Sequence, residues 1–243
     1  MFRNLLAYST MKKKLVLATV FLLFNFSFGQ ILDRQNLWYV MNIKGTNVYE
    51  EPTFNSKILA VLSVGESILI EKSLGSNEHL TIANGFSLEG NWIKPEKIQG
   101  YIFSADLTDK ELIVNQDING QVFINLLGKL INEEEKEEVI STDNGEFVKY
   151  SESEYYENGS YTNTTWDGCF YHMTKYHNLS LNEVYYQMVS DHGTMTDENE
   201  FMFPIFQERS ANTLKFEGYG ATEDLKIELL ENGIILVSTY DCT

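Results

Sequence analysis

Short runs of alternating apolar and polar residues, each closed by a turn signal, recur along this chain. Residues 47–49 begin a strand. Glu51 and Pro52 turn the chain, because Pro52 fixes its own φ and pushes Glu51 into an extended conformation. Residues 56–59 re-enter a strand, Gly65 and Glu66 punctuate, and residues 67–70 alternate again. Further strands are read at residues 92–94 and 100–103, and residues 74–88 fold back as a hairpin around Asn84 and Gly85. Asn-Gly occurs five times, at 84–85, 119–120, 144–145, 158–159 and 232–233. This dipeptide suits the two positive-φ positions of a type I′ turn, whose twist matches paired antiparallel strands. Most of the five are flanked by β-branched or aromatic alternation, which predicts an all-β protein.

The last hairpin is the cleanest. Leu225, Ile227 and Leu229 alternate with Lys226 and Glu228, Asn232 and Gly233 turn, and residues 234–240 return. A two-residue turn there sets Leu229 opposite Leu236 and Leu225 opposite Tyr240, with Cys242 on the inward face beside Leu236. A helix capped by Thr222 would leave Ile227 off the stripe of Leu225 and Leu229, so the strand is preferred. Ser180 and Glu183 stand in capping-box spacing, which makes residues 181–188 the expected helix. The acidic run 132–138 is read as a solvated loop or short helix, and residues 150–161 as a tyrosine-rich segment that carries a turn.

The order of motifs in the first half resembles the bacterial SH3 (SH3b) domain. The shared features are Asn47-Val48 with Pro52, then Gly65, then Gly90, Trp92 and Lys94, and finally Gly100-Tyr101-Ile102 before Leu107. The resemblance implies a small barrel over residues 38–109 whose groove binds an extended segment. Its implied groove residues are Tyr49, Trp92 and Tyr101, with Glu51 and Glu89 as polar neighbours. Tyr49 stands where the family pattern has arginine. Residues 110–243 are then a second, acidic, antiparallel β domain with at most one short helix.

Residues 1–29 change the setting. A basic start at Lys12, Lys13 and Lys14, an apolar stretch over 15–24 and the small residue Gly29 read as a signal peptide. The expectation is an exported chain, periplasmic or extracellular, not stably inserted in a membrane. Residues 1–29 hold four basic residues and no acid, which takes the remainder from −17 to −21. Such acidity repels phosphate backbones, so nucleic acid is a poor partner.

In an oxidising compartment the two cysteines, Cys169 and Cys242, are expected to pair as one disulfide. Closing a loop of 73 residues would contribute roughly 4 kcal/mol in the chain-entropy model. Cys169, His172 and His177 do not share a face of a strand closely enough to hold one metal, and neither metal nor cofactor is expected. The segment around Trp166-Asp167-Gly168-Cys169 and the later residues 222–237 are similar to papain-like bacteriocin-processing peptidases, in which the cysteine starts a helix. Phe170 and Tyr171 replace the expected Gly-Pro, and no histidine follows the last strand. The expectation is therefore a non-enzymatic binding protein of the cell envelope that recognises a peptide, a wall component or another envelope protein. The alternative is a degenerate or truncated papain-like cysteine hydrolase using Cys169.

Overall fold

A computed structural model describes residues 36–118, 120–142, 145–196, 198, 200–220 and 222–242. The expected signal peptide over 1–29 lies outside them. Nine strands come first: β1 (Leu37–Val40), β2 (Thr46–Tyr49), β3 (Ile58–Leu62), β4 (Ser67–Leu74), β5 (His79–Ala83), β6 (Phe86–Glu89), β7 (Trp92–Pro95), β8 (Ile102–Phe103) and β9 (Leu107–Thr108). They form an antiparallel sheet in the order β8-β7-β4-β1-β9 and two hairpins, β2-β3 and β5-β6. The expected barrel is not closed: these are open sheets, and β2 reaches the β8 segment only through an isolated bridge between Tyr49 and Tyr101. The hairpin expected around Asn84 is present. Ala83 pairs with Phe86, leaving Asn84 and Gly85 as the turn, and Gly85 takes φ +89°, a conformation that favours glycine.

Alternation gives the five-stranded sheet two buried faces. Val40, Ile93 and Ile102 point into one small cluster with Val48, Leu62, Ile68, Ile70 and Leu107. Their chain neighbours Met41, Trp92 and Phe103 point the other way, into a larger cluster that also holds residues after 110. One apolar core therefore crosses the expected boundary near residues 108–111. Phe86 is its hub, 5.3 Å from the ring of Tyr185, 5.4 Å from Phe206 and 5.9 Å from Phe216.

The remainder comprises β10 (Ile113–Gln116), β11 (Val122–Asn125), β12 (Leu130–Thr142), β13 (Gly145–Tyr156), β14 (Gly159–Trp166), β15 (Cys169–Tyr176), α1 (Leu181–His192), β16 (Thr194–Met195), β17 (Phe201–Met202), β18 (Ile205–Ser210), β19 (Thr213–Glu217), β20 (Glu223–Leu229) and β21 (Ile235–Cys242). An eight-stranded antiparallel sheet runs β12-β13-β14-β15-β21-β20-β19-β18. The all-β class with a single short helix thus holds for the described residues.

Two expectations change here. The acidic run is the edge strand β12, paired residue by residue with β13. Glutamate disfavours strands in general, but an exposed edge leaves every carboxylate in water and discourages a foreign strand from adding. In the last hairpin Leu229 pairs with Ile235, not Leu236, because the connection is five residues long. A one-residue slip exchanges the faces of the returning strand. Ile235 and Val237 are therefore buried, while Cys242 lies on the exposed side.

The helix begins where its capping box says it should and runs four residues beyond the expected end. Ser180 Oγ accepts from the Glu183 N–H, and the Glu183 carboxylate accepts from the Ser180 N–H at 2.7 Å. The other oxygen of Glu183 accepts from the Thr108 hydroxyl at 2.6 Å. A second buried carboxylate, Asp106, accepts from Thr46 Oγ1 at 2.6 Å, Asn42 Nδ2 at 3.1 Å and the Tyr186 hydroxyl. Burial pushes the Asp106 carboxyl up, and these three donors pull it back. Polar pairs thus hold α1 to the first sheet alongside the aromatic core.

Candidate functional site

Every third or fourth residue of α1 on its polar side is spoken for. Glu183, Gln187 and Asp191 follow at four-residue spacing, so they share one face. Gln187 Nε2 donates to the Ile124 carbonyl at 2.9 Å and to Asp191 Oδ1 at 2.9 Å, and its Oε1 accepts from the Leu126 N–H at 2.7 Å. This clamp fixes the end of β11 against the helix and places Asp191 against one face of the eight-stranded sheet.

A cleft of about 490 Å³ opens there. Its floor comes from adjacent strands: Glu154 and Tyr156 on β13, Tyr161 on β14, His172 and Thr174 on β15, and Val237, Thr239 and Asp241 on β21. Register explains the convergence. Glu154 pairs with Tyr161, Tyr161 with Thr174, and Thr174 with Val237, so one row of side chains crosses four strands on the same face. Asp191 and His192, at the C-terminal end of α1, form the opposite wall.

The groups in the cleft are coupled. The Tyr161 hydroxyl and His172 Nδ1 share a hydrogen bond of 2.8 Å with their rings nearly parallel, 6.1 Å apart. The Tyr156 hydroxyl donates to Glu154 at 2.6 Å. Asp191 has an exposed surface, yet the surrounding walls strip water from its carboxyl and raise it to about 7, the Gln187 amide opposing the shift. Enclosure lowers His192 to about 4, with His172 adding to the effect. A carboxylate at a helix C-terminus faces the negative end of the dipole, so Asp191 is held where helix stability alone would not place it. Asp241 Oδ1 and Asn163 Oδ1 are buried without a hydrogen-bond partner among the described residues, while the buried Tyr176 hydroxyl lies beside Thr174. By strand alternation all three belong to the cleft-side face.

The residues expected from the SH3b resemblance fall elsewhere. Trp92 is 2% exposed and packs in the core against Phe54 and Phe103, with Nε1 donating to Glu78 at 2.7 Å. Its ring therefore does not line an open groove, which corrects that expectation. Tyr49 is half-buried, edge-on to Trp92 at 5.3 Å, and Tyr101 is half-buried beside it across the backbone bridge. Glu51 and Glu89 are exposed, and the Glu89 carbonyl accepts from Asn182 Nδ2 at 2.8 Å.

Cys169 and Cys242 are joined in a disulfide, S–S 2.00 Å, as the facing pair at the end of the β15-β21 ladder. Cys169 starts a strand, not the helix that the peptidase resemblance requires. In this state it offers no thiolate. His172 lies on the opposite face of β15 from Cys169, and no group of three or more His, Cys, Asp or Glu among the described residues is placed to hold a metal. Sequence reasoning passed over Asp191, His192, Tyr161 and Asp241. The one signal available was the polar spacing Glu183, Gln187, Asp191 within an otherwise buried helix.

Among the described residues no helix is long and apolar enough to cross a membrane. No protein family, no curated protein and no solved structure matches this chain.

Proposed function

We propose that this is an exported, non-enzymatic binding protein of the cell envelope that holds a peptide or wall component in the cleft between α1 and the eight-stranded sheet. The observation that carries the reading is the cleft itself. At about 490 Å³ it falls within the range of small-molecule sites, roughly 300–1,000 Å³, and convergent polar groups from six elements line it. Export is supported by the basic-then-apolar leader pattern and by the disulfide, which persists in oxidising compartments. The SH3b-like strands over residues 38–109 serve in this reading as the support that buttresses α1, through Asp106, Thr108 and Phe86.

A cysteine hydrolase would need Cys169 free and a base within hydrogen-bond reach; neither condition is favoured by the disulfide and the opposite-facing His172. The test is calorimetric titration of soluble wall fragments into the oxidised protein and into Thr174→Trp, whose indole fills the cleft. Binding by the former and its loss in a still-cooperative Thr174→Trp fold is the expected result. No heat at several hundred micromolar fragment, or equal binding by both proteins, would overturn the reading.

A further inference from the structure

The polar groups of the cleft are unevenly matched. Glu154, Asp191 and Asp241 bring carboxylates to it, and its lining contains no lysine or arginine. Asp241 Oδ1 is buried without a donor among the described residues. A carboxylate only accepts hydrogen bonds, so what completes this site must donate. Unpaired buried acceptors are costly, and a charged donor satisfies them most strongly. Tyr156 and Tyr161 add ring faces, which attract cations.

We infer that the cleft takes an organic cation, an ammonium group on a short alkyl chain, presented either by a free amine or by a lysine side chain. The inference rests on the reading of this cleft as the ligand site. His192, kept uncharged near neutral pH by its enclosure, does not oppose a cation there. Binding a cation favours the ionised form of Asp191, whose carboxyl is otherwise raised to about 7, so affinity rises with pH between about 5 and 8. The other titratable groups facing this carboxyl are His172 on β15, Tyr161 on β14, Glu154 and Tyr156 on β13 and Asp241 on β21.

The chain has four histidines, of which His172 and His192 line the cleft and His79 and His177 do not. Imidazole resonances of the oxidised full chain can therefore be followed by NMR while three probes of equal length are added: pentane-1,5-diamine, pentane-1,5-diol and glutarate. The expected result is that only the diamine moves His172 and His192, leaving His79 and His177 in place. Asp191→Asn and Asp241→Asn should each weaken the diamine at least about tenfold. Asp191→Asn removes a charge that the helix end disfavours, so it remains folded should Asp241→Asn not. Nα-acetyl-lysine methylamide separates the sources: binding tighter than the diamine assigns a lysine side chain, weaker binding a free amine. Movement with the diol or glutarate but not the diamine overturns the cation assignment and leaves the cleft as a site. Silence of all three probes overturns both.

Discussion

Replacing both cysteines by serine isolates the contribution of one covalent link. Cys169 and Cys242 are 73 residues apart in sequence and face each other at the end of an eight-pair ladder. Cys242 is exposed and Cys169 half-buried, so serine leaves no core cavity and the native state changes little. The effect then falls on the unfolded chain. Freeing a loop of this length costs about 4 kcal/mol of stability in the chain-entropy model. For a domain of this size that is a fall in Tm of roughly 10–15 °C. Urea denaturation followed by circular dichroism, comparing oxidised wild type with Cys169→Ser/Cys242→Ser, measures it directly. The m-value should rise, because an uncrosslinked chain exposes more surface on unfolding. Reduced wild type should coincide with the double variant. A loss below about 1 kcal/mol, or a reduced wild type unlike the variant, would refute the assignment of the effect to loop closure.

Three further outcomes are expected. Asp191, raised to about 7, contributes stability that is complete below the ordinary carboxylate pKa and lost as pH rises through about 7; His192, lowered to about 4, contributes stability present above its ordinary value and lost as pH falls toward 4. Between pH 4 and 6.5 the two oppose each other, so the denaturation midpoint of Asp191→Asn should rise with pH and that of His192→Asn should fall; equal slopes would contradict the assignment. Ser180→Ala removes the cap on α1 and should cost about 1 kcal/mol, a fall of about 2–4 °C by calorimetry. Glu135→Val with Glu137→Val strips charge from the edge strand β12 and should produce self-association at tens of micromolar in sedimentation velocity, on the order of the concentrations at which unguarded edges pair.

What could be read beforehand was local. Alternation and Asn-Gly turns carry their own geometry, so the class, most strands and the hairpin at Asn84 followed from residues next to one another. Ser180 and Glu183 fixed the helix start for the same reason. Register was harder: the bond from the Leu230 N–H to the Ile234 carbonyl encloses residues 231–233, one more than the expected pair, and that one residue of slip moved Cys242 to the opposite face. The acidic run reads as a loop or short helix from its charge alone; its strand conformation depends on the long tyrosine-bearing strand β13 that pairs with it. The cleft was not legible. Its walls come from residues 154, 161, 172, 191 and 241, which only strand pairing over nearly ninety positions brings together. Trp92 illustrates the converse: a motif position can be identified while the direction of its ring depends on what packs behind the sheet.

The two-faced sheet built around Trp92 and Ile93 limits how this chain can be dissected. A fragment cut after Thr108 would keep the small inner cluster but leave Met41, Phe86, Leu88, Trp92 and Phe103 without the covering helix. Such a piece would present a wet aromatic flank and be prone to clump. Shuffling the first hundred residues into another polypeptide, as one might a self-sufficient cassette, therefore calls for polar replacements on that flank first.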